Sequence, residues 1–146
     1  MSQREFQGKT AISLDSKGRL AVPTRYREMI QMDAQNLMTI TEHPDGYLML
    51  FPRPQWLLLK TNAAQLDQDA AWWKRVVIGS ANDIELDSAG RILVAPELRE
   101  AAQINKEVLL IGMLNHFEIW DRLIYAEHKA LELSRPLPNS LQTFKY

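Results

Sequence analysis

The chain of 146 residues contains no cysteine, which excludes disulfide bridges, thiolate zinc sites and cysteine nucleophiles. Its first ten residues, MSQREFQGKT, hold no apolar run of the kind found in a secretory signal. Its longest apolar stretches, WLLL and VLLIGML, are far too short to span a membrane. These absences predict a soluble protein of a reducing compartment, the cytoplasm, that makes no membrane contact.

Groups that carry catalysis or bind metals are also scarce. No two of the histidines His43, His116 and His128 have the spacing of metal ligands, and no cysteine is present to complete a zinc site. The chain shows neither a glycine-rich phosphate loop nor a Ser-His-Asp set. We therefore predict a protein that is not an enzyme, with no cofactor, no metal and no small-molecule substrate.

Charge is unevenly distributed along the chain, although its formal net value is only −1. The first 28 residues carry a net charge of +3, whereas the remainder sums to −4. Because phosphate contacts depend on local cation density, a basic end on an acidic body is compatible with binding to DNA. The basic residues of this end are Arg4, Lys9, Lys17, Arg19, Arg25 and Arg27.

One segment of the sequence occurs twice, at a shift of 72 residues. ISLDSKGRLAVPTRYRE (residues 12–28) aligns with IELDSAGRILVAPELRE (residues 84–100). Both read Ile-x-Leu-Asp-Ser-x-Gly-Arg-x-x-Val and both end in Arg-Glu. An internal repeat of this length predicts two copies of one structural unit. The matched positions of Arg27 and Arg99 indicate a structural salt link, either to Glu28 or across the two copies.

Apolar residues alternate with period two on both sides of each Asp-Ser-x-Gly tetrad, which predicts a β-hairpin with the tetrad at its turn. The aspartate accepts backbone N–H groups in such a turn, serine does the same more weakly, and glycine permits a positive φ. We assign the turn-shaping role to Asp15, Ser16, Asp87 and Ser88.

The rest of each half follows the same order of elements. PTRYREMIQ and PELREAAQ predict short helices, and NLMTITE, GYLMLF, EVLLIGM and FEIW predict strands. A helix follows each strand pair, because apolar residues recur there at helical spacing. Those residues are Trp56, Leu59, Ala63 and Leu66 in the first half and Leu123, Ala126, Ala130 and Leu133 in the second.

A unit of about 45 residues is too small to bury a substantial core by itself. We therefore expect the two copies to complete one another around a pseudo-two-fold axis, giving one α+β body. The predicted division is a first repeat at 9–55, a helical connector at 56–80, a second repeat at 81–124, and a C-terminal helix and tail at 125–146.

These residues resemble the MraZ family of bacterial transcriptional regulators, built on the swapped-hairpin fold of AbrB-like DNA-binding proteins. The resemblance is carried by LDSKGRLAVPTRYRE, the second LDSAGR, KEVLLIG and FEIWD, and it spans nearly the whole chain. It implies a duplicated swapped-hairpin unit, a ring-shaped homo-oligomer and a nucleoid-associated protein. It also implies binding to double-stranded DNA at short repeats upstream of the protein's own operon, the cluster for cell division and cell wall synthesis.

The resemblance further implies that the two Asp-x-x-Gly-Arg loops face the DNA. An arginine at a loop tip can contact phosphate, or donate to O6 and N7 of guanine in the major groove. The other interpretation is that each arginine only pairs with the aspartate four residues earlier, and the two can coexist. We assign DNA binding to Arg19, Lys17, Arg91, Gly18, Gly90, Lys9 and Arg25. Because Ala89 stands where the first loop has Lys17, we expect the first loop to be the stronger anion binder.

Three other functions remain as alternatives. The chain could be an AbrB-like antitoxin with a partner at its C-terminal tail, or a structural protein whose repeats only build a ring. Asp15 and Asp87 also resemble the aspartates of a duplicated protease, but a nearby arginine opposes the shared proton that such a dyad needs. The tryptophans Trp56, Trp72, Trp73 and Trp120 could stack on bases, although core or subunit interface is the favoured interpretation.

Overall fold

A computed structural model of the protein describes residues 5–146. Arg4, one of the basic residues of the N-terminal end, lies outside the described residues. The first repeat has the predicted order of strands and helices. Its elements are β1 (Lys9–Ser13), β2 (Arg19–Ala21), α1 (Thr24–Ala34), β3 (Leu37–Glu42), β4 (Leu48–Pro52) and α2 (Arg53–Ala63).

The second repeat has the same order of elements after a short connector. The connector holds a 3₁₀ turn (Gln68–Ala70) and α3 (Ala71–Val77). The second repeat consists of β5 (Asn82–Glu85), β6 (Arg91–Leu93), α4 (Pro96–Ala101), β7 (Glu107–Gly112), β8 (Phe117–Asp121) and α5 (Arg122–Leu133). A further 3₁₀ turn, Asn139–Leu141, lies in the tail.

Within residues 5–146, the strands on the two sides of each Asp-Ser-x-Gly-Arg loop do not form a ladder with one another, so the prediction of a local hairpin was wrong. Instead β1 pairs with β7, β5 pairs with β3, and β2 pairs with β6, all antiparallel. Alternating apolar residues determine which face of a strand is buried, but not which strand it pairs with. The exchange confirms the duplicated swapped-hairpin fold class.

The strands form two sheets that enclose one core built from both repeats. The larger sheet has the order β1-β7-β8-β4-β3-β5, and the smaller consists of β2 and β6. The smaller sheet, α1 and α4 cover one face of the larger sheet, and the side chains between them are buried. They include Leu20, Val22, Ile30, Leu50, Ile92, Val94, Leu110, Phe117 and Ile119.

A second apolar cluster lies where α2 and α3 meet the larger sheet, and it contains Met49, Phe51, Trp56 and Val77. The interpretation of the tryptophans as core residues is confirmed for Trp56, which is only 2% exposed, whereas Trp72 is 74% exposed. The predicted face of α5 is not buried, since Leu123 and Leu133 are exposed. Among the described residues, no helix has the length and apolar character required to traverse a lipid bilayer.

Candidate nucleic-acid interface

The first Asp-x-x-Gly-Arg loop is held together by both carboxylate oxygens of Asp15. Oδ1 accepts the backbone N–H groups of Lys17 and Arg19, each at 2.9 Å. Oδ2 accepts Nε of the Arg19 side chain at 2.7 Å. The carbonyl of Asp15 accepts the N–H of Gly18 at 3.0 Å, which closes the turn. One aspartate therefore shapes the loop and orients its arginine.

The second loop repeats this geometry around Asp87. Its Oδ1 accepts the N–H groups of Ala89 and Arg91, each at 2.9 Å, and its Oδ2 accepts Nε of Arg91 at 3.0 Å. Gly90 donates its N–H to the carbonyl of Asp87 at 2.9 Å. The repeated sequence thus encodes a repeated hydrogen-bond pattern, and the predicted pairing of each arginine with its aspartate is confirmed.

The same contacts keep both aspartates ionised. The backbone N–H of Arg19 is the main cause that lowers the pKa of Asp15 to about 2, with the Arg19 side chain and the N–H of Lys17 acting in the same direction. The N–H and side chain of Arg91 lower the pKa of Asp87 in the same way. A protease dyad needs two carboxylates that share one proton, whereas these two both ionise readily. Their low pKa values therefore argue against the protease alternative.

Pairing between β2 and β6 brings the two arginines onto one outward surface. Leu20 lies opposite Ile92, and both side chains point into the core. Because side chains alternate along a strand, Arg19 and Arg91 project from the other face of this small sheet. Their side chains are 30% and 35% exposed although each is paired with its aspartate.

Each arginine retains donors beyond those used inside its loop. Among the described residues, the hydrogen bonds of the Arg19 and Arg91 guanidinium groups to Asp15 and Asp87 use Nε. The Nη groups are therefore available for a ligand. A guanidinium in this state can donate two parallel hydrogen bonds to a phosphate or to a guanine edge.

Other predicted residues also lie at the loops. Lys17, Ser16 and Ser88 are exposed at the loop tips. In both loops the aspartate side chain accepts the N–H groups of the turn. Gly18 and Gly90 have φ values of +80° and +75°, which confirms the expected left-handed conformation. Both glycines are buried, unlike the loop tips around them.

Two predicted residues lie apart from the loops. Lys9 begins β1, at the end of that strand remote from the first loop, and its Nζ is 5.0 Å from the centroid of the Tyr125 ring on α5. Arg25, near the start of α1, donates from Nη2 to Oγ1 of Thr10 at 2.6 Å and lies over the ring of Tyr26. The structure therefore gathers Arg19, Arg91 and Lys17 but not these two cations.

Arg27 and Arg99 occupy equivalent positions in the two repeats, and this match is all that the sequence indicated about them. Nε of Arg27 donates to the carbonyl of Val22 at 2.7 Å, and Nε of Arg99 donates to that of Val94 at 3.0 Å. Each guanidinium then approaches a glycine of the opposite repeat, Gly90 or Gly18. These contacts stand in place of the predicted salt link, and the contact with glycine is the one that crosses between the repeats.

The histidines take part in aromatic packing. The ring of His43 stacks on Tyr47, and that of His116 stacks on Phe51. Burial is the main cause that lowers the pKa of His116, which favours its neutral form. Over residues 5–146, no group of three or more histidine, aspartate or glutamate side chains is arranged to hold a metal ion.

Comparison with known proteins finds one family and close relatives. The family model described as "MraZ protein, putative antitoxin-like" matches residues 6–74 and 77–137. The transcriptional regulator MraZ of Cupriavidus taiwanensis is 50% identical over 141 residues, which cover 97% of this chain and 99% of that protein. Proteins of the same name from Cupriavidus pinatubonensis and Burkholderia mallei are 49% and 50% identical over the same lengths.

Proposed function

The chain belongs to the MraZ family, and from that premise we propose that it is a sequence-specific DNA-binding regulator of transcription. Its relatives carry the name of transcriptional regulators. We further propose that it acts in the cytoplasm at the nucleoid. Its targets would be repeated elements upstream of its own operon, the cluster for cell division and cell wall synthesis.

A single observation carries the proposal: two identically built arginine loops emerge from one small sheet. Arg19 and Arg91 project from the same outward face of the β2-β6 ribbon, each oriented by its own aspartate. A two-stranded ribbon is narrow enough to enter the major groove of DNA. Arginines held in one orientation lose less side-chain entropy when they donate to guanine or phosphate.

Lys17 is proposed to add a phosphate contact beside the first loop. Its exposed side chain has no cationic counterpart in the second loop, where Ala89 occupies the matching position. Phosphate contacts strengthen binding and position the protein without reading sequence. The first loop would therefore contribute more to affinity, while the two arginines would contribute base recognition. The assignment of Lys9 and Arg25 to flanking phosphate contacts stays a prediction.

We propose that the DNA-binding form is a ring of identical chains. Large apolar side chains on the outer helices favour association, since Trp72, Leu123 and Leu133 are all about three-quarters exposed. Loops presented on one side of a ring would meet successive DNA repeats together. Such multivalent contact raises affinity through effective concentration and makes binding steeply dependent on salt.

The test uses the duplex immediately upstream of the gene that encodes this chain. Mobility shifts compare this duplex with one of the same length and composition in shuffled order, at several salt concentrations. The mass of the protein is measured free and bound. We expect preference for the upstream duplex and a free mass that is a multiple of 16.8 kDa. Equal binding of both duplexes would reject sequence specificity, and a free mass of one chain would reject the ring.

An antitoxin-like function is the second candidate, because the description of the matching family includes that word. The tail also exposes apolar side chains, among them Leu137 and Phe144, that a partner protein could cover. A chain ending at Leu133 keeps both loops. The main proposal therefore expects this shortened chain to retain binding to the upstream duplex. A third possibility, a ring that is only structural, expects no preference for that duplex from the full chain.

A further inference from the structure

Two arginines outside the loops cross from each repeat to the other. Arg99, on α4 of the second repeat, lies against Gly18 of the first loop, with its Cζ 2.8 Å from where a Cβ of that glycine would stand. Arg27, on α1 of the first repeat, lies against Gly90 of the second loop, where a Cβ would overlap its guanidinium. The arrangement therefore occurs twice, with the repeats exchanged.

Backbone hydrogen bonds hold each glycine from another side. The N–H of Val22 donates to the carbonyl of Gly90 at 2.9 Å, while the carbonyl of Val22 accepts Nε of Arg27. Val94 makes the same two bonds with Gly18 and Arg99. Each loop glycine is thus enclosed by a valine and an arginine of the opposite repeat.

This enclosure means that a side chain at either glycine would displace the arginine packed against it. A side chain at either position would occupy the space that the planar guanidinium fills, in addition to the strain at positive φ. The glycine immediately precedes the arginine of its loop. We expect a displacement of Gly90 to move the backbone of Arg91, and the same for Gly18 and Arg19.

We propose that Arg27 and Arg99 are positioning residues that orient the DNA-binding loop of the opposite repeat. Arg27 fixes the second loop and Arg99 fixes the first. The inference rests on the proposed function, since it assigns a purpose to loops that bind DNA. Each loop is therefore oriented by an arginine of the other repeat, so both repeats are needed to build either loop.

A direct phosphate contact is the competing role for these two arginines, and charge distinguishes the roles. A positioning residue acts through its planar guanidinium and Nε, which lysine lacks. A phosphate contact needs mainly a positive charge, which lysine retains. Removal of a phosphate contact reduces the slope of log affinity against log salt by about 0.9, whereas removal of a positioning group leaves the slope unchanged.

The first measurement uses the protein without DNA. Amide hydrogen exchange in Arg27→Ala should rise at residues 87–91 and stay unchanged at 15–19, and Arg99→Ala should give the reverse. Arg75→Ala, an arginine of α3 that lies over Trp72, is the matched control and should alter neither loop. Exchange that rises equally in both loops, or in neither, would overturn the proposal. Arg27→Met, which keeps the aliphatic packing, replaces the alanine variant if that variant does not fold.

The second measurement is a pair of mutant cycles on the upstream duplex. Arg27→Ala should weaken binding by up to the full effect of Arg91→Ala, roughly 5- to 150-fold for one base-reading arginine. In the Arg91→Ala background its additional effect should be less than about twofold, because the oriented group is already absent. In the Arg19→Ala background the effects of the two substitutions should multiply.

Further variants distinguish a failure of the positioning role from a failure of DNA binding by the loops. Arg27→Lys should bind as weakly as Arg27→Ala, with the salt slope of the unsubstituted chain. Normal binding by Arg27→Lys, together with a slope reduced by about 0.9 in Arg27→Ala, would make Arg27 a phosphate contact and overturn the proposal. If Arg19→Ala and Arg91→Ala both bind normally, the proposed function fails, while hydrogen exchange still decides the positioning role.

Discussion

Asp15 performs two tasks with two oxygens, and the same is true of Asp87. Oδ1 of Asp15 receives backbone N–H groups and keeps the turn closed, while Oδ2 receives the arginine side chain. The exposed ion pair by itself contributes little to stability. Its main effect is on orientation, because the aspartate restricts the directions that the Arg19 side chain can take before any ligand binds.

Asp15→Asn separates these tasks. The amide oxygen of asparagine can still accept the backbone N–H groups, but its NH₂ group cannot accept Nε of Arg19. We expect the turn to persist and Arg19 to lose its orientation. Binding to shuffled duplex should stay level or rise, because a negative charge is removed, while preference for the upstream duplex should fall. A preference equal to that of the unsubstituted chain would show that the ion pair does not direct the arginine.

Lys17 provides a test of the difference between the loops. Lys17→Ala makes the first loop match the second, and we expect weaker binding to upstream and shuffled duplexes alike. The salt slope should fall by about 0.9 for each phosphate that the lysine no longer neutralises. The reciprocal change, Ala89→Lys, should raise affinity and the slope. A change in preference between the duplexes, without a change in slope, would assign Lys17 to base reading instead.

At the scale of the elements, the sequence predicts the order of strands and helices well. Each Asp-Ser-x-Gly-Arg segment has residues typical of a turn. The helix α1 is predicted by the preceding proline and by the spacing of Tyr26 and Ile30. Strand partners could not be predicted from alternation, since Leu14 and Leu20 are buried whether pairing is local or exchanged. The contact of Arg99 with Gly18 depends on this exchange of strands between the repeats, so it could not be predicted either.

The β2-β6 ribbon should be the element on which both loops depend. Leu20 is fully buried beneath it, and Leu20→Ala should reduce the free energy of unfolding by about 2–5 kcal/mol. Leu93 lies on the same ribbon but is 49% exposed, so Leu93→Ala should cost far less. Urea denaturation followed by tryptophan fluorescence measures both. Equal effects of the two substitutions would contradict the described packing.

At the scale of the whole molecule, the two repeats form a shared core. β1 of the first repeat completes the sheet of the second, and β5 of the second completes the sheet of the first. Composition and repeat length indicated this mutual completion, because one unit alone cannot bury enough apolar surface. The exposure of the apolar face of α5 could not be predicted in this way. Apolar residues at helical spacing indicate a face that packs against something, but not whether this chain or another chain covers it.

We propose that the two arginine loops of the β2-β6 ribbon read DNA together. The most direct measurement is binding of the upstream duplex by the double variant Arg19→Ala/Arg91→Ala, alongside its oligomer mass and its unfolding curve. We expect loss of the preference for the upstream over the shuffled duplex, with mass and unfolding unchanged, because both side chains lie on the outer face. Retained preference in a folded oligomer of unchanged mass would show that these arginines do not read the DNA sequence.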